Sequence, residues 1–88
     1  MIIKQDIEVE FSKGSNRKEY YNVLLEDDYT VDFTLYTCFE NKKINISVYN
    51  IQVFDESGKY MTLNDIEYIQ LINEIINKTK WKDDSKNR

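Results

Sequence analysis

The sequence predicts an α+β fold, an antiparallel sheet of four to five strands with one C-terminal amphipathic helix packed on one face. Three observations predict it. Apolar residues alternate with period two from Ile3 to Phe11 and again from Tyr29 to Phe39, the signature of half-buried strands. Turn-forming clusters recur at short intervals, which favours antiparallel neighbours over the long crossovers that parallel ones need. From Asn64 onward the apolar spacing changes to that of a helix. With 88 residues the chain has room for one small core and not for two.

The first strand places Ile3, Ile7, Val9 and Phe11 on one side, and Lys4, Asp6, Glu8 and Glu10 on the other. Ser12 to Lys18 is polar, contains Gly14 and reads as a loop. Tyr20 to Leu25 is a second short strand, broken by Glu26-Asp27-Asp28. The strongest β signal follows. Tyr29, Val31, Phe33, Leu35, Thr37 and Phe39 share one face, and Thr30, Asp32, Thr34, Tyr36, Cys38 and Glu40 share the other. Asn41-Lys42-Lys43 is of hairpin length. Ile44, Ile46 and Val48 continue as a strand, while Ile51 and Val53 have the opposite phase, which predicts a β-bulge near Tyr49-Asn50. Asp55 to Lys59 is a turn in which Gly58 can take a positive φ.

The helix has a marked start. Asn64 is the expected N-cap, Glu67 its capping-box partner, and Leu63 with Tyr68 a hydrophobic staple. Asp65 and Glu67 suit the positive end of the dipole; Lys78, Lys80 and Lys82 suit the negative end. Tyr68, Ile69, Leu71, Ile72, Ile75, Ile76 and Thr79 fall within an arc of about 160°, wide enough to lie across a sheet. Trp81 falls outside that arc, so the helix should have ended by then. Residues 1–81 are therefore expected to form a single domain, and 82–88 a polar, frayed tail.

Composition narrows the chemistry. There is no histidine, which removes Ser-His-Asp and Cys-His catalysis and imidazole metal ligands. A lone Cys38 forms no internal disulfide and no cysteine-based zinc site. No run of 18 apolar residues is present to make a transmembrane helix. The N-terminus turns polar too early for a signal peptide, so the expected compartment is a reducing cytoplasm. No cofactor or metal is expected. The acidic run Glu26-Asp27-Asp28 with Asp32 lacks the spacing of a Ca²⁺ loop. Asp28 or Asp32 followed by Glu40-Asn41-Lys42 matches the short acidic-lysine pattern of Mg²⁺ nucleases, but here Glu-x-Lys falls on a predicted hairpin turn.

Charge decides between binding partners. Residues 1–77 carry 7 positive and 14 negative side chains, and residues 78–88 carry 5 and 2. Tyr21, Tyr36 and Tyr49 could stack on bases, but a body of net charge −7 repels a phosphate backbone, so direct nucleic-acid binding is not expected. The acidic row Asp6, Glu8, Glu10, extended by Glu26, Asp27, Asp28 and Asp32, would instead steer a basic protein partner, and could imitate nucleic acid before an enzyme that handles it.

The strand Asp6 to Phe11, the hairpin Tyr29 to Val53 and the helix start Leu63-Asn64-Asp65-Ile66-Glu67 give a layout that resembles small accessory proteins of phages and mobile elements, with anti-CRISPR proteins the best-known examples. Ile, Lys, Asn and Tyr make up 37 of 88 residues, and alanine and proline are absent, the bias of an A+T-rich gene. The resemblance implies a non-enzymatic protein-binding module, a phage-type inhibitor of a host or defence enzyme acting in the host cytoplasm. It includes no motif from which a functional residue can be transferred. The residues themselves nominate Glu26, Asp27, Asp28, Asp32, Tyr36 and Tyr49 as the contact surface, with charge for steering and aromatics for interface energy. The alternative is a structural or assembly subunit that self-associates through a sheet edge or the Tyr/Thr face.

Overall fold

The strand with the cleanest alternation, β3 (Thr30–Glu40), takes the centre of a four-stranded antiparallel sheet. In the computed structural model, which describes residues 1–10 and 14–82, the order is β2 (Gly14–Leu24), β3, β4 (Lys43–Phe54) and β5 (Tyr60–Met61). Val31, Phe33, Leu35 and Thr37 are all buried on one face of β3, as their spacing predicts. A helix, α1 (Asp65–Asn77), packs against that face, so the α+β fold class holds.

Two tight turns join the long strands. Asn41 and Lys42, both at positive φ, form the two-residue turn between β3 and β4, whose twist matches that of the flanking strands. Between β2 and β3, Glu26–Asp28 form a single 3₁₀ turn with Asp27 and Asp28 both at φ 61°. In the β4–β5 turn Gly58 sits at φ 84°. There Asp55 accepts hydrogen bonds from the Ser57 hydroxyl and the Ser57 and Lys59 amides. The Ser57 hydroxyl bond, followed by the Lys59 amide, holds this carboxyl below its ordinary range.

β4 carries the predicted bulge. Its register against β3 slips between Tyr49 and Gln52, with Asn50 at φ 55°. A second, unpredicted bulge lies in β2, between Tyr20 and Val23, with Asn22 also at φ 55°. Asparagine tolerates this left-handed conformation better than other residues with a Cβ. Both bulges flank the same stretch of β3, Asp32-Phe33.

Three of the predicted strand and loop boundaries differ in the structure. The polar segment read as a loop before Tyr20 is strand from Gly14 onward, paired as Gly14↔Phe39 through Tyr20↔Phe33. Pairing to a strong central strand overrides the weak β propensity of Asn16, Arg17 and Lys18. Ser12 and Lys13 lie outside the described residues.

The first strand is also shorter than its alternation. β1 covers Ile7–Glu10, and Ile3 forms a separate antiparallel bridge to Leu25, with a bend at Gln5 between the two. β1 pairs in parallel, and its partner is β6 (Thr79–Lys82), in the register Ile7↔Thr79 to Glu10↔Lys82. Phe11 lies outside the described residues.

β6 is the third, a strand where the sequence predicts a helix end at Lys80 and Lys82 and a tail from Lys82 onward. The helix stops at Asn77 with Lys78 as C-cap, and the Thr79 hydroxyl donates to the Ile75 carbonyl at 2.9 Å as the chain leaves it. A strand of four residues with lysine at alternate positions is too short to be read by period alone. Residues 83–88 of the expected tail lie outside the described residues.

α1 begins as predicted. Asn64 Oδ1 accepts from the Glu67 amide at 2.8 Å, and Glu67 Oε1 accepts from the Asn64 amide at 3.2 Å. Its buried stripe is narrower than expected. Leu71 and Ile75 are fully buried and Ile72 and Ile76 partly so, but Ile69 is 59% exposed and Tyr68 also points toward water. The helix shares the core side of the sheet with β1, so it does not need its whole apolar arc. α1 lies on the β4 side. β1 lies on the β2 side, where the Tyr20 hydroxyl donates to the Glu8 carbonyl at 2.7 Å.

Candidate functional site

The face of the sheet turned away from α1 is built by the same alternation that builds the core. Its rows cross the strands: Arg17, Tyr36 and Ser47 in one, Glu19, Thr34 and Tyr49 in the next, then Asp32 beside Gln52, then Thr30 beside Phe54. Among the described residues, no element covers this outer face. Tyr21 is 64%, Tyr49 52% and Tyr60 55% exposed on it, while Tyr36 on the central strand is half-buried. Tyr60 is set by an edge-on contact with Phe54, ring centroids 6.0 Å apart.

The two bulges shape this face. Each adds twist where it sits, and together they bend the sheet around Asp32. A depression of about 330 Å³ results, walled by Tyr21 and Tyr60, with Asp32, Thr34, Asn50 and Gln52 among its lining. The bulge leaves the Asn22 amide without a ladder partner, and Asp32 Oδ1 accepts from it at 2.8 Å. Asp32 is thus an anchor for the bend as well as a charge within the depression.

A second chain of contacts runs along β2. Arg17 Nη2 lies 3.2 Å from Glu19 Oε1, and the Tyr21 hydroxyl donates to Glu19 Oε2 at 2.6 Å. These side chains are two residues apart and so share one face. The hydrogen bond to the Glu19 carboxylate, followed by that negative charge, raises the Tyr21 phenol above its ordinary value. At neutral pH the ring keeps its proton and stays directed at Glu19.

The predicted contact residues are divided by the fold. Asp32, Tyr36 and Tyr49 share the outer face. Glu26, Asp27 and Asp28 form the exposed tip at one end of the sheet. Asp28 lies four residues before Asp32, about 13 Å along an extended strand, and eight before Tyr36, about 27 Å. The tip can steer a partner but does not line the depression.

The longer acidic row expected from sequence is interrupted. Glu8 and Glu10 belong to β1, which lies on the core side of the sheet, whereas Asp32 faces outward. The nuclease-like pattern does not assemble either, since Asp32 and Glu40 stand at opposite ends of β3, about 27 Å apart on an extended strand. Among the described residues, no group of three potential metal-ligating side chains converges. Cys38 is half-buried, with the Ser15 hydroxyl 3.7 Å from its sulfur.

Sequence reasoning missed Tyr60 and Gln52 as members of the face. The signal for Gln52 was present, because the phase reversal after Asn50 moves even-numbered residues of β4 to the outer side. Tyr60 had none, since β5 is only two residues long. Comparison of the chain with protein-family models, curated proteins and solved structures gives no match in any of the three.

Proposed function

We propose that this chain is a non-enzymatic protein-binding module that docks a partner protein on its outer tyrosine face, in the manner of a phage-type inhibitor of a host or defence enzyme. One observation carries the reading. Three tyrosines, Tyr21, Tyr49 and Tyr60, are held more than half exposed on a sheet face that no described element covers, and two of them, Tyr21 and Tyr60, line an open depression in it. Tyrosine supplies large apolar contact area with a polar tip and little rotamer entropy, which is why it concentrates binding energy at interfaces. The acidic tip at Glu26–Asp28 and the net charge of the chain favour a partner with a basic surface, such as an enzyme that handles nucleic acid.

The test compares the tagged full-length chain with its Tyr49→Ala/Tyr60→Ala variant in quantitative capture from bacterial cells carrying defence systems. The expected result is a partner retained by the native chain, depleted at least tenfold by the double variant, and inhibited when purified and mixed with the native chain. Charge reversal of Glu26, Asp27 and Asp28 to lysine should slow association at low salt without changing the docked surface. If no captured protein distinguishes the native chain from the double variant, the reading is wrong.

A further inference from the structure

The two edges of the sheet differ in kind. β2 carries the exposed charges Arg17, Lys18 and Glu19 along its length and is bent by the bulge at Asn22. Its end is covered, since the Lys4 amide donates to the Leu24 carbonyl at 2.9 Å and Ile3 bridges Leu25. Charges, a bulge and a cover are the devices that stop an edge from recruiting another strand. β4 has little of this protection. β5 pairs with it only at Val53 and Phe54, and among the described residues nothing pairs with its outer edge from Lys43 to Gln52. From Ile44 to Phe54 it has no charged residue, no glycine and no proline.

The direction of the backbone groups on this edge follows from the Asn41-Lys42 turn. In a two-residue turn of this type the Lys43 amide faces the Glu40 carbonyl. Alternation then turns the amides and carbonyls of Lys43, Asn45, Ser47 and Tyr49 toward β3, and those of Ile44, Ile46 and Val48 outward. An extended polypeptide backbone is the ligand such a row fits.

We propose that this edge pairs with the same edge of a second copy of the chain, antiparallel about a two-fold axis at Ile46, joining two four-stranded sheets into one. The side chains select a second copy. With Ile46 on the axis, Ile44 meets Val48, Asn45 meets Ser47 and Lys43 meets Tyr49 of the other copy. Each pair joins residues on the same face of the sheet, apolar on the core side and polar or aromatic on the outer side. No like charges meet, and the one cation is set against an aromatic ring. Ile44 lies on the core side yet is 41% exposed, and pairing covers it. The bulge at Asn50 limits the paired stretch to Lys43 through Tyr49. Among the described residues the contact uses the unguarded edge of the four-stranded sheet in each copy, and the guarded β2 edges stop that sheet from growing beyond a dimer. It does not depend on what the outer face binds.

Sedimentation or light scattering on the full chain at micromolar concentrations should give a mass near twice the 10.6 kDa of one copy. Amide exchange supplies the signature. The amides of Ile44, Ile46 and Val48 should become protected as concentration rises, while those of Asn45 and Ser47 are protected throughout by β3. Ile44→Pro removes an outward amide without touching the β3 ladder, and Asn45→Lys/Ser47→Lys places like charges opposite each other across the axis. Both should be monomeric with unchanged far-UV circular dichroism. The double lysine variant decides the matter should the proline variant fail to fold. A native chain that stays monomeric up to millimolar concentration would overturn the proposal, as would a dimer that survives the lysine substitutions or is abolished only by Tyr49→Ala/Tyr60→Ala.

Discussion

β3 serves two surfaces that share a backbone and little else. On its core side Val31, Phe33 and Leu35 are almost wholly buried beneath α1 and β1. On its outer side Asp32 and Tyr36 are half exposed, with Tyr21 and Tyr49 more exposed on the neighbouring strands. The core side is filled by aliphatic groups that contribute through area removed from water, roughly 25 cal/mol per Å². The outer side keeps aromatic area in water. The difference separates stability from recognition, and substitutions on the two sides should move different measurements.

The largest expected effect comes from the core side. Leu71 on α1 is completely buried, so Leu71→Ala should cost about 2–5 kcal/mol, the lost transfer energy plus the cavity left behind. Urea unfolding followed by circular dichroism measures it. Tyr49→Ala, by contrast, should change stability by no more than about 0.5 kcal/mol. Comparable losses from the two variants would break the distinction between the faces.

An intermediate effect tests what bends the outer face. Asn50 holds a left-handed conformation at the β4 bulge, and Asn50→Val should cost about 1–2 kcal/mol because a β-branched residue is strained there. Asn50→Gly should be nearly neutral, since glycine takes this conformation without a Cβ clash. Equal unfolding midpoints for the valine and glycine variants would show that the bulge does not depend on that conformation. Asn50 and Tyr60 both line the depression, so the valine variant should also perturb the Tyr60 resonances in an NMR spectrum.

The sequence carried this much of the design unevenly. The faces of β3, the Asn50 bulge and the Asn64–Glu67 capping box were legible because each is local: an alternation, a phase change, a spacing of three. The parallel pairing of β1 with β6 was not, because it joins Ile7 to Thr79 across the whole chain and each strand has only four residues. The bulge at Asn22 escaped for a related reason, since Tyr20 to Leu25 shows no clear alternation to interrupt. The site followed the same rule. Asp32, Tyr36 and Tyr49 belong to one hairpin and were placed on one face correctly, whereas Tyr60 arrives through a loop whose path no periodicity records.

The smallest expected effect compares adjacent residues on opposite faces. Tyr20 stacks on Phe33 on the core side, with ring centroids 5.1 Å apart, and burial followed by the charge of Glu8 raises its phenol above the ordinary value. Tyr21 is raised too, but chiefly by its hydrogen bond to Glu19. In both cases the folded chain holds the proton more tightly than the unfolded chain does. The associated stability is therefore fully present below the unfolded phenol value and is lost as pH rises through the raised folded one. Titration of tyrosinate absorbance, assigned with Tyr20→Phe and Tyr21→Phe, should resolve both groups. Glu19→Gln removes the carboxylate charge and should return Tyr21 toward the ordinary value while leaving Tyr20 where it is. Added salt should lower only the part of the Tyr21 shift that comes from exposed charge, because burial is not screened. A Tyr21 titration indifferent to Glu19→Gln would mean that the Arg17–Glu19–Tyr21 chain does not order the outer face in solution.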